Sequence, residues 1–298
     1  MGALRNRIFS SVAWVNGKAR LFPQRNNPAR SPPAPGSRSH RHTADVDHPY
    51  LDAPGPLAFA HRGGAADGDE NTAAAFERAI KLGYRYVETD VHATADGVPV
   101  VIHDPELDRV AGQPGRVASL TWADLSTVRV GGAAAVPRLD ETLDAWPEIR
   151  FNVDVKDDRV VEPAVEAVRR TAAEDRVLLA SFSDARLTRV RALAGPRVAT
   201  SLGKRGIARL RIASVAGVPL RLPPSVVAAQ VPVRHGPITV VTPRFVAYLH
   251  RLGRAVHVWT IDEPNEMNRL LDMGVDGIMT DRVEVLRDVF SARGLWPA

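Results

Sequence analysis

From residue 57 to residue 293 the chain alternates short apolar runs with stretches of helical period. That alternation limits the fold more than any other feature. The runs Leu57–Ala60, Arg85–Val91, Arg150–Val155, Arg176–Ala180, Arg197–Ser201, Val226–Val231, Ala255–Thr260 and Gly277–Thr280 read as strands. Helical stretches lie between most of them, at Ala73–Leu82, Leu139–Trp146, Glu162–Ala173, Asp184–Leu193, Arg205–Val215, Pro243–Leu252 and Pro264–Met273, and Arg282–Arg293 closes the body. Thr72 is placed to cap the first helix and Gly83 to end it. Strand, ten-residue helix and strand make a βαβ unit, which demands a parallel sheet. Eight such units in about 240 residues are the arithmetic of a TIM barrel. An open doubly wound sheet would want a glycine-rich dinucleotide loop after its first strand, and none is present.

One segment breaks the alternation. Asp96-Gly97 is a hairpin signal between two β-rich runs. A turn centred there pairs residue 90 with residue 103, so His103 is expected beside Asp90 on an antiparallel arm outside the parallel set. Residues 104–138 show no sustained period and contain Gly112, Gly115, Gly131 and Gly132. They read as an excursion over one end of the barrel, with a short helix near Thr121–Val128. The predicted organisation is a leader at 1–54 and a barrel at 55–293, carrying a small hairpin and loop insert, about 92–138, after the second barrel strand.

Charge separates leader from body. Residues 1–44 hold eight Lys and Arg and no acid, whereas the remainder holds 31 basic and 34 acidic residues. The high isoelectric point therefore belongs to the leader, and no nucleic-acid partner is expected of the body. The leader, with its Pro32–Ser37 linker-like stretch, reads as a disordered tail or a misassigned start, and alternatively as a basic arm on anionic lipid. Ile8–Val15 is too short and too polar for a secretory signal. No run of about 18 apolar residues is present, so no spanning helix is expected. The expected location is cytoplasmic, with weak peripheral membrane contact through the leader or through residues 204–222. That second segment carries Lys204, Arg205, Arg209, Arg211 and Arg221 among Ile, Leu and Val, and its other reading is an ordinary outer barrel helix. The absence of cysteine excludes disulfides, thiolate metal sites and cysteine nucleophiles.

In a barrel, functional groups sit at the C-terminal ends of the strands. That rule selects His61, Arg62, Glu88, Asp90, Asp154, Lys156, Ser181 and Trp259. Alternation sends Glu88 and Asp90 to one side, and Asp154 joins them from a neighbouring strand. Three converging carboxylates without balancing charge repel one another. A hard divalent cation, magnesium or calcium, resolves this through oxygen ligation. The alternative is a metal-free network with Arg62, Lys156 or Arg85. His61 and His103 are the histidines at strand ends close to these acids, and a pair of imidazoles can take one proton and donate another near neutral pH. Arg62 offers a planar fork to phosphate oxygens and Lys156 a point charge.

These residues, in this order, resemble the glycerophosphodiester phosphodiesterases. The likeness runs through His61-Arg62-Gly63, Glu70-Asn71-Thr72, Glu88-x-Asp90, Asp96-Gly97, His103-Asp104 with Leu107-x-Arg109, Asp154-x-Lys156, Ser181-Phe182, Trp259-Thr260 and the closing Gly274–Asp281, over about residues 56–290. The resemblance implies a barrel of the phospholipase C-like phosphodiesterase type. It implies metal-dependent hydrolysis of small glycerophosphodiesters to glycerol 3-phosphate and an alcohol, in lipid and glycerol metabolism. Carried over, His61 and His103 are the catalytic acid–base pair, and Glu88, Asp90 and Asp154 hold Mg2+ or Ca2+. Arg62, Lys156, Glu70, Asn71 and Trp259 serve the substrate or stand close behind it, with Glu70 or Asn71 alternatively a further ligand to the metal. The family usually has Glu where this chain has Asp154, one methylene shorter. Two other activities fit the same motifs: a lysophospholipase D-type phosphodiesterase, and a barrel that only binds a phosphorylated ligand or a membrane.

Overall fold

The parallel strands are β1 (Leu57–His61), β2 (Tyr86–Ala93), β3 (Arg150–Val155), β4 (Val177–Ala180), β5 (Ala199–Thr200), β6 (Ala228–Pro232), β7 (Ala255–Trp259) and β8 (Gly277–Thr280) in a computed structural model. They hydrogen-bond in the order β5-β4-β3-β2-β1-β8-β7-β6. A parallel bridge between Thr200 and Val226 joins the two ends, with the Thr200 N–H donating to the Ser225 carbonyl at 2.7 Å. The ring is the (β/α)8 barrel that eight alternating units require. The structure describes residues 48–297, together with the short strands Trp14–Val15 and Lys18–Ala19. The chain divides into two units, residues 1–40 and 41–298. In the first, Trp14–Val15 pairs antiparallel with Lys18–Ala19. The tail expected over most of the leader otherwise lies outside the described residues.

Each strand is followed by a helix that covers its outward face: α1 (Ala73–Leu82), α2 (Leu139–Ala145), α3 (Val161–Arg170), α4 (Asp184–Ala194), α5 (Lys204–Ala216), α6 (Pro243–Arg251), α7 (Pro264–Met273) and α8 (Val283–Ala292). Local chemistry sets the ends of α1. The Thr72 hydroxyl accepts from the Ala75 N–H, and Gly83 leaves the helix at φ +106°. On α3 the buried set Val161, Ala164, Val165, Ala167 and Val168 follows the 3.6-residue period and packs on the sheet.

The barrel interior changes character along its axis. At the N-terminal end Leu57, Phe59, Tyr86, Leu178, Ala199 and Ala255 form an apolar cluster. Tyr50 closes this end from the 3-10 turn Pro49–Leu51, which lies within the expected leader, 1–54. Its ring meets Tyr86 edge-on at 5.6 Å, and the Tyr86 hydroxyl donates to its carbonyl at 2.8 Å. At the other end the interior side chains are charged.

The insert departs from expectation in register. Its arm, Pro99–Val101, pairs antiparallel with β2, Val91 opposite Val101 and His92 opposite Val100. Asp90 therefore stands opposite Ile102, whose N–H donates to the Asp90 carbonyl at 2.9 Å, and not opposite His103. The turn holds three residues rather than two. Thr94 and Val98 close it (Thr94 N–H to Val98 carbonyl, 3.1 Å), and Gly97 takes φ +82° within it. The extra residue shifts the pairing by one. The rest of the insert buries a separate cluster that includes Val100, Ile102, Leu107, Val117 and Leu125. Its short helix, Trp122–Leu125, starts at a Thr121–Asp124 capping box. Among the described residues no helix is long and apolar enough to cross a membrane.

Candidate active site

Strand register assembles the site. His61 lies opposite Glu88 across β1 and β2, and Asp90 opposite Asp154 across β2 and β3. The turn after β1 runs through the left-handed region at Arg62, Gly63 and Gly64, with φ of 53°, 82° and 96°. A Cβ on Gly63 would stand 2.7 Å from the Phe76 ring, so this turn needs glycine for space as well as for φ. The turn aims the Arg62 N–H at Glu88 Oε2, 3.2 Å away. His61, Arg62, Glu88, Asp90, His103, Asp154, Lys156 and Trp259 all line one pocket at the C-terminal mouth, despite the shifted hairpin.

Within it the acids are held by cations. Lys156 Nζ bridges Asp90 Oδ1 and Asp154 Oδ2 at 2.8 Å each. Arg62 Nε lies 3.3 Å from Asp90 Oδ2, which also accepts from the Asn71 amide at 3.0 Å. Glu70 and Asn71 stand behind the lining. Glu70 takes Arg62 on Oε1 at 3.0 Å and a two-pronged contact from Arg109 at 2.7 and 2.8 Å. Asn71 ties Asp90 to Thr89. The network that sequence reading weighed against a metal is thus the arrangement of these side chains, and among the described residues no three acids or histidines are grouped as a ready cage for an ion.

Two features nevertheless fit a hard cation. Asp154 Oδ1 is buried and has no hydrogen-bond partner. Burial, and then the Asp90 charge, pushes the Glu88 carboxyl up to about 7, the mark of an acid whose charge is poorly balanced. The donor set is all oxygen, as magnesium or calcium prefers. Burial also opposes charge on Asp90, but Lys156 and then Arg62 outweigh it and hold that carboxyl below its usual range.

Each histidine is backed by an aspartate that sequence reading gave no role. His61 Nδ1 lies 2.6 Å from Asp281 Oδ1, at the end of β8, and His103 Nδ1 lies 2.5 Å from Asp104 Oδ1. Neither Nε2 atom makes a hydrogen bond among the described residues. Their settings differ. Burial pulls the His61 pKa down, but Glu88 (3.7 Å from Nε2) and Asp281 more than offset it, and the net shift is upward. Burial lowers His103, and the Asp90 and Asp104 charges fail to offset it, with Lys156 and Arg62 acting in the same direction as burial. His92 positions its neighbour. Its Nε2 contacts the His103 carbonyl at 3.0 Å and its Nδ1 contacts Asp157 at 3.1 Å. His257, two residues before Trp259 on β7, is fully buried.

The rim is aromatic. Trp259 meets Phe182 edge-on at 5.6 Å, and the ammonium groups of Lys156 and Lys204 lie 5.8 and 5.5 Å from the Phe182 ring centre. Deeper, the Gln230 amide donates to Asn152 at 3.0 Å.

The family model described as "Glycerophosphoryl diester phosphodiesterase family" matches residues 61–285. The chain is 42% identical over 251 residues, 83% of its length and 95% of the relative's, to the Mycobacterium tuberculosis protein called Probable glycerophosphodiester phosphodiesterase 2. It is 26% identical over 268 residues to a human lysophospholipase D, with 77% of this chain and 84% of that one covered. The crystal structure of a glycerophosphodiester phosphodiesterase from Agrobacterium tumefaciens shares the fold at a TM-score of 0.65 and 24% identity, covering 79% of this chain and 99% of that chain.

Proposed function

The chain belongs to the glycerophosphoryl diester phosphodiesterase family and is a phosphodiesterase, and on that premise we propose that it cleaves glycerophosphodiesters to sn-glycerol 3-phosphate and an alcohol, with His103 as first base and His61 as first acid. The observation that carries this reading is the shared pocket: two aspartate-backed imidazoles, an arginine and a lysine surround one cavity at the barrel mouth.

The glycerol hydroxyl next to the phosphodiester attacks phosphorus, and its proton passes to His103 Nε2. An oxygen–phosphorus bond forms, the bond to the departing alcohol breaks, and His61 Nε2 gives its proton to the alkoxide. Water then opens the cyclic phosphate with the two histidines in exchanged roles. The order of roles follows from the surroundings. His61 sits between Asp281 and Glu88, which favour its protonated form, whereas Asp104 beside His103 is shared with Arg109 at 2.5 Å. Arg62 and Lys156 orient the phosphoryl group and offset its charge. Glu88, Asp90 and Asp154 would hold a magnesium or calcium ion, which when bound polarises the phosphoryl oxygens.

The direct test incubates the protein with glycerophosphocholine and glycerophosphoethanolamine, with magnesium, calcium or a chelator, and measures glycerol 3-phosphate. Turnover that survives exhaustive chelation would remove the metal from this reading. The histidine roles separate by leaving group. His61→Ala and His103→Ala should each lower kcat on glycerophosphocholine by about 100-fold or more. A glyceryl p-nitrophenyl phosphodiester, whose leaving group needs no acid, should restore His61→Ala far more than His103→Ala. The opposite pattern reverses the assignment.

A lysophospholipase D activity is the second reading. The apolar rim favours it, since Phe182 is 46% exposed and Leu202 joins Trp259 at the same pocket. A lysophospholipid arm in the same assay distinguishes the two by product.

A further inference from the structure

Between Asp184 and Asp262 the chain carries no acidic residue, while the same 77 residues carry thirteen Lys and Arg. Outside that stretch, residues 45–298 hold eighteen basic and thirty-four acidic residues. The barrel is therefore polarised by sector, and the stretch from α4 to β7 is its cationic side. Arg186, Arg189 and Arg197 reach across to Asp158, Glu162 and Asp175. The other ten cations have no carboxylate within ion-pair distance among the described residues.

The outer face of α5 has an unusual composition for a barrel helix. Its solvent-facing positions include Arg205, Ala208, Arg209, Ile212, Val215 and Ala216. Ile212 is 69% exposed and Val215 53%. Val218 in the following loop is also exposed, as is Ile238 in the turn after β6, which Arg211 ties to α5 through the Thr239 carbonyl at 3.3 Å. The solvent positions of α3 are charged by contrast: Glu162, Glu166, Arg169 and Arg170. Exposed branched aliphatics flanked by arginines without carboxylate partners, on a helix that itself carries no acid, have the composition of an interfacial helix. We propose that this sector, centred on the outer face of α5, is a docking surface for an anionic lipid bilayer.

Charge decides among occupants. The carboxylate at the start of α5, Asp184, is taken by the Arg205 and Gly206 N–H groups, so the face has little anionic surface to offer its own copy across a two-fold axis and a symmetric second copy is disfavoured. An anionic headgroup layer complements it directly, and the apolar side chains enter the acyl boundary. The helix begins at the site: Lys204 at its first position stands over Phe182 on the pocket rim. Docking would thus bring the mouth beside the membrane surface.

The test is co-sedimentation of the full chain with vesicles of phosphatidylcholine alone and of phosphatidylcholine with phosphatidylglycerol. Binding is expected only to the anionic vesicles and should weaken as salt rises. The pairs Arg205→Glu with Arg209→Glu, and Ile212→Ser with Val215→Ser, should each lower partitioning by about tenfold or more. Melting temperature and turnover of soluble substrate should be unchanged in both. Equal binding by wild type and both variants would assign adsorption to the basic leader and overturn the proposal. Absence of binding, or equal binding to neutral vesicles, overturns it too. Self-association that the same variants abolish, without vesicle binding, would assign the face to a second copy instead.

Discussion

At the scale of single residues, the two aspartates behind the histidines would, under the proposed mechanism, set where each imidazole carries its proton. Asp281 is held in turn, because its N–H and the Thr280 hydroxyl both donate to Asp262 Oδ1 at 2.9 Å. A carboxylate fixed at 2.6 Å from His61 Nδ1 selects the ring orientation that leaves Nε2 toward the pocket and stabilises the imidazolium. Asp281→Asn keeps the shape and removes the charge. It should lower kcat on glycerophosphocholine by about tenfold or more with little change in KM, and lower it less with the p-nitrophenyl leaving group. An equal loss on both substrates would make Asp281 a structural residue only. The signal was present in the sequence, since Asp281 directly follows a strand candidate and Asp104 directly follows His103. Position alone does not reveal which strand-end acid faces an imidazole across the barrel.

At the scale of elements, alternation was sufficient to recover the eight strands and eight helices within a few residues, because a buried parallel strand and an amphipathic helix leave different periods. Register was less legible. A three-residue and a two-residue turn differ by one residue around the same Asp96-Gly97, and that residue moved His103 from opposite Asp90 to just beyond it. The pocket survived because His103 needs only to reach the mouth. The Tyr50 plug was illegible for another reason: it is one buried aromatic in a polar, proline-containing stretch, with no period to detect. Its role makes a sharp prediction. Tyr50 is fully buried and its hydroxyl finds no partner. Tyr50→Phe should be at least as stable as wild type, since it removes an unsatisfied polar atom. Tyr50→Ala should lose about 3 kcal/mol by opening the base of the barrel. Denaturant unfolding measures both, and a marked loss in Tyr50→Phe would show that the hydroxyl has a partner.

At the scale of the whole molecule, the barrel stacks an apolar base, a neutral polar layer and a charged mouth, and the middle layer ties folding to pH. His257 belongs to that layer. It packs against Phe59 at 4.9 Å between ring centres and lies 3.4 Å from the Gln230 amide nitrogen, and its Nε2 has no partner. Burial drives its pKa down to about 4, against about 6.5 in the unfolded chain. Between these values the unfolded state binds a proton that the folded state refuses. Stability therefore rises with pH across this window and is lost as pH falls from about 6.5 to 4, by about 3 kcal/mol for this group. His61, shifted upward, acts with the opposite sign, since its contribution is full below 6.5 and fades above it. The two separate by substitution. His257→Gln keeps a neutral polar side chain in the layer and removes the titration. The drop in unfolding free energy between pH 7 and pH 5 should then be smaller in the variant than in wild type, whatever the variant's stability at pH 7. Parallel pH profiles would mean that burial leaves the imidazole's proton affinity as it is in the unfolded chain, whereas a larger drop in the variant would mean that the buried imidazole already carries its proton in the folded barrel and that Gln230 presents its amide oxygen rather than its nitrogen.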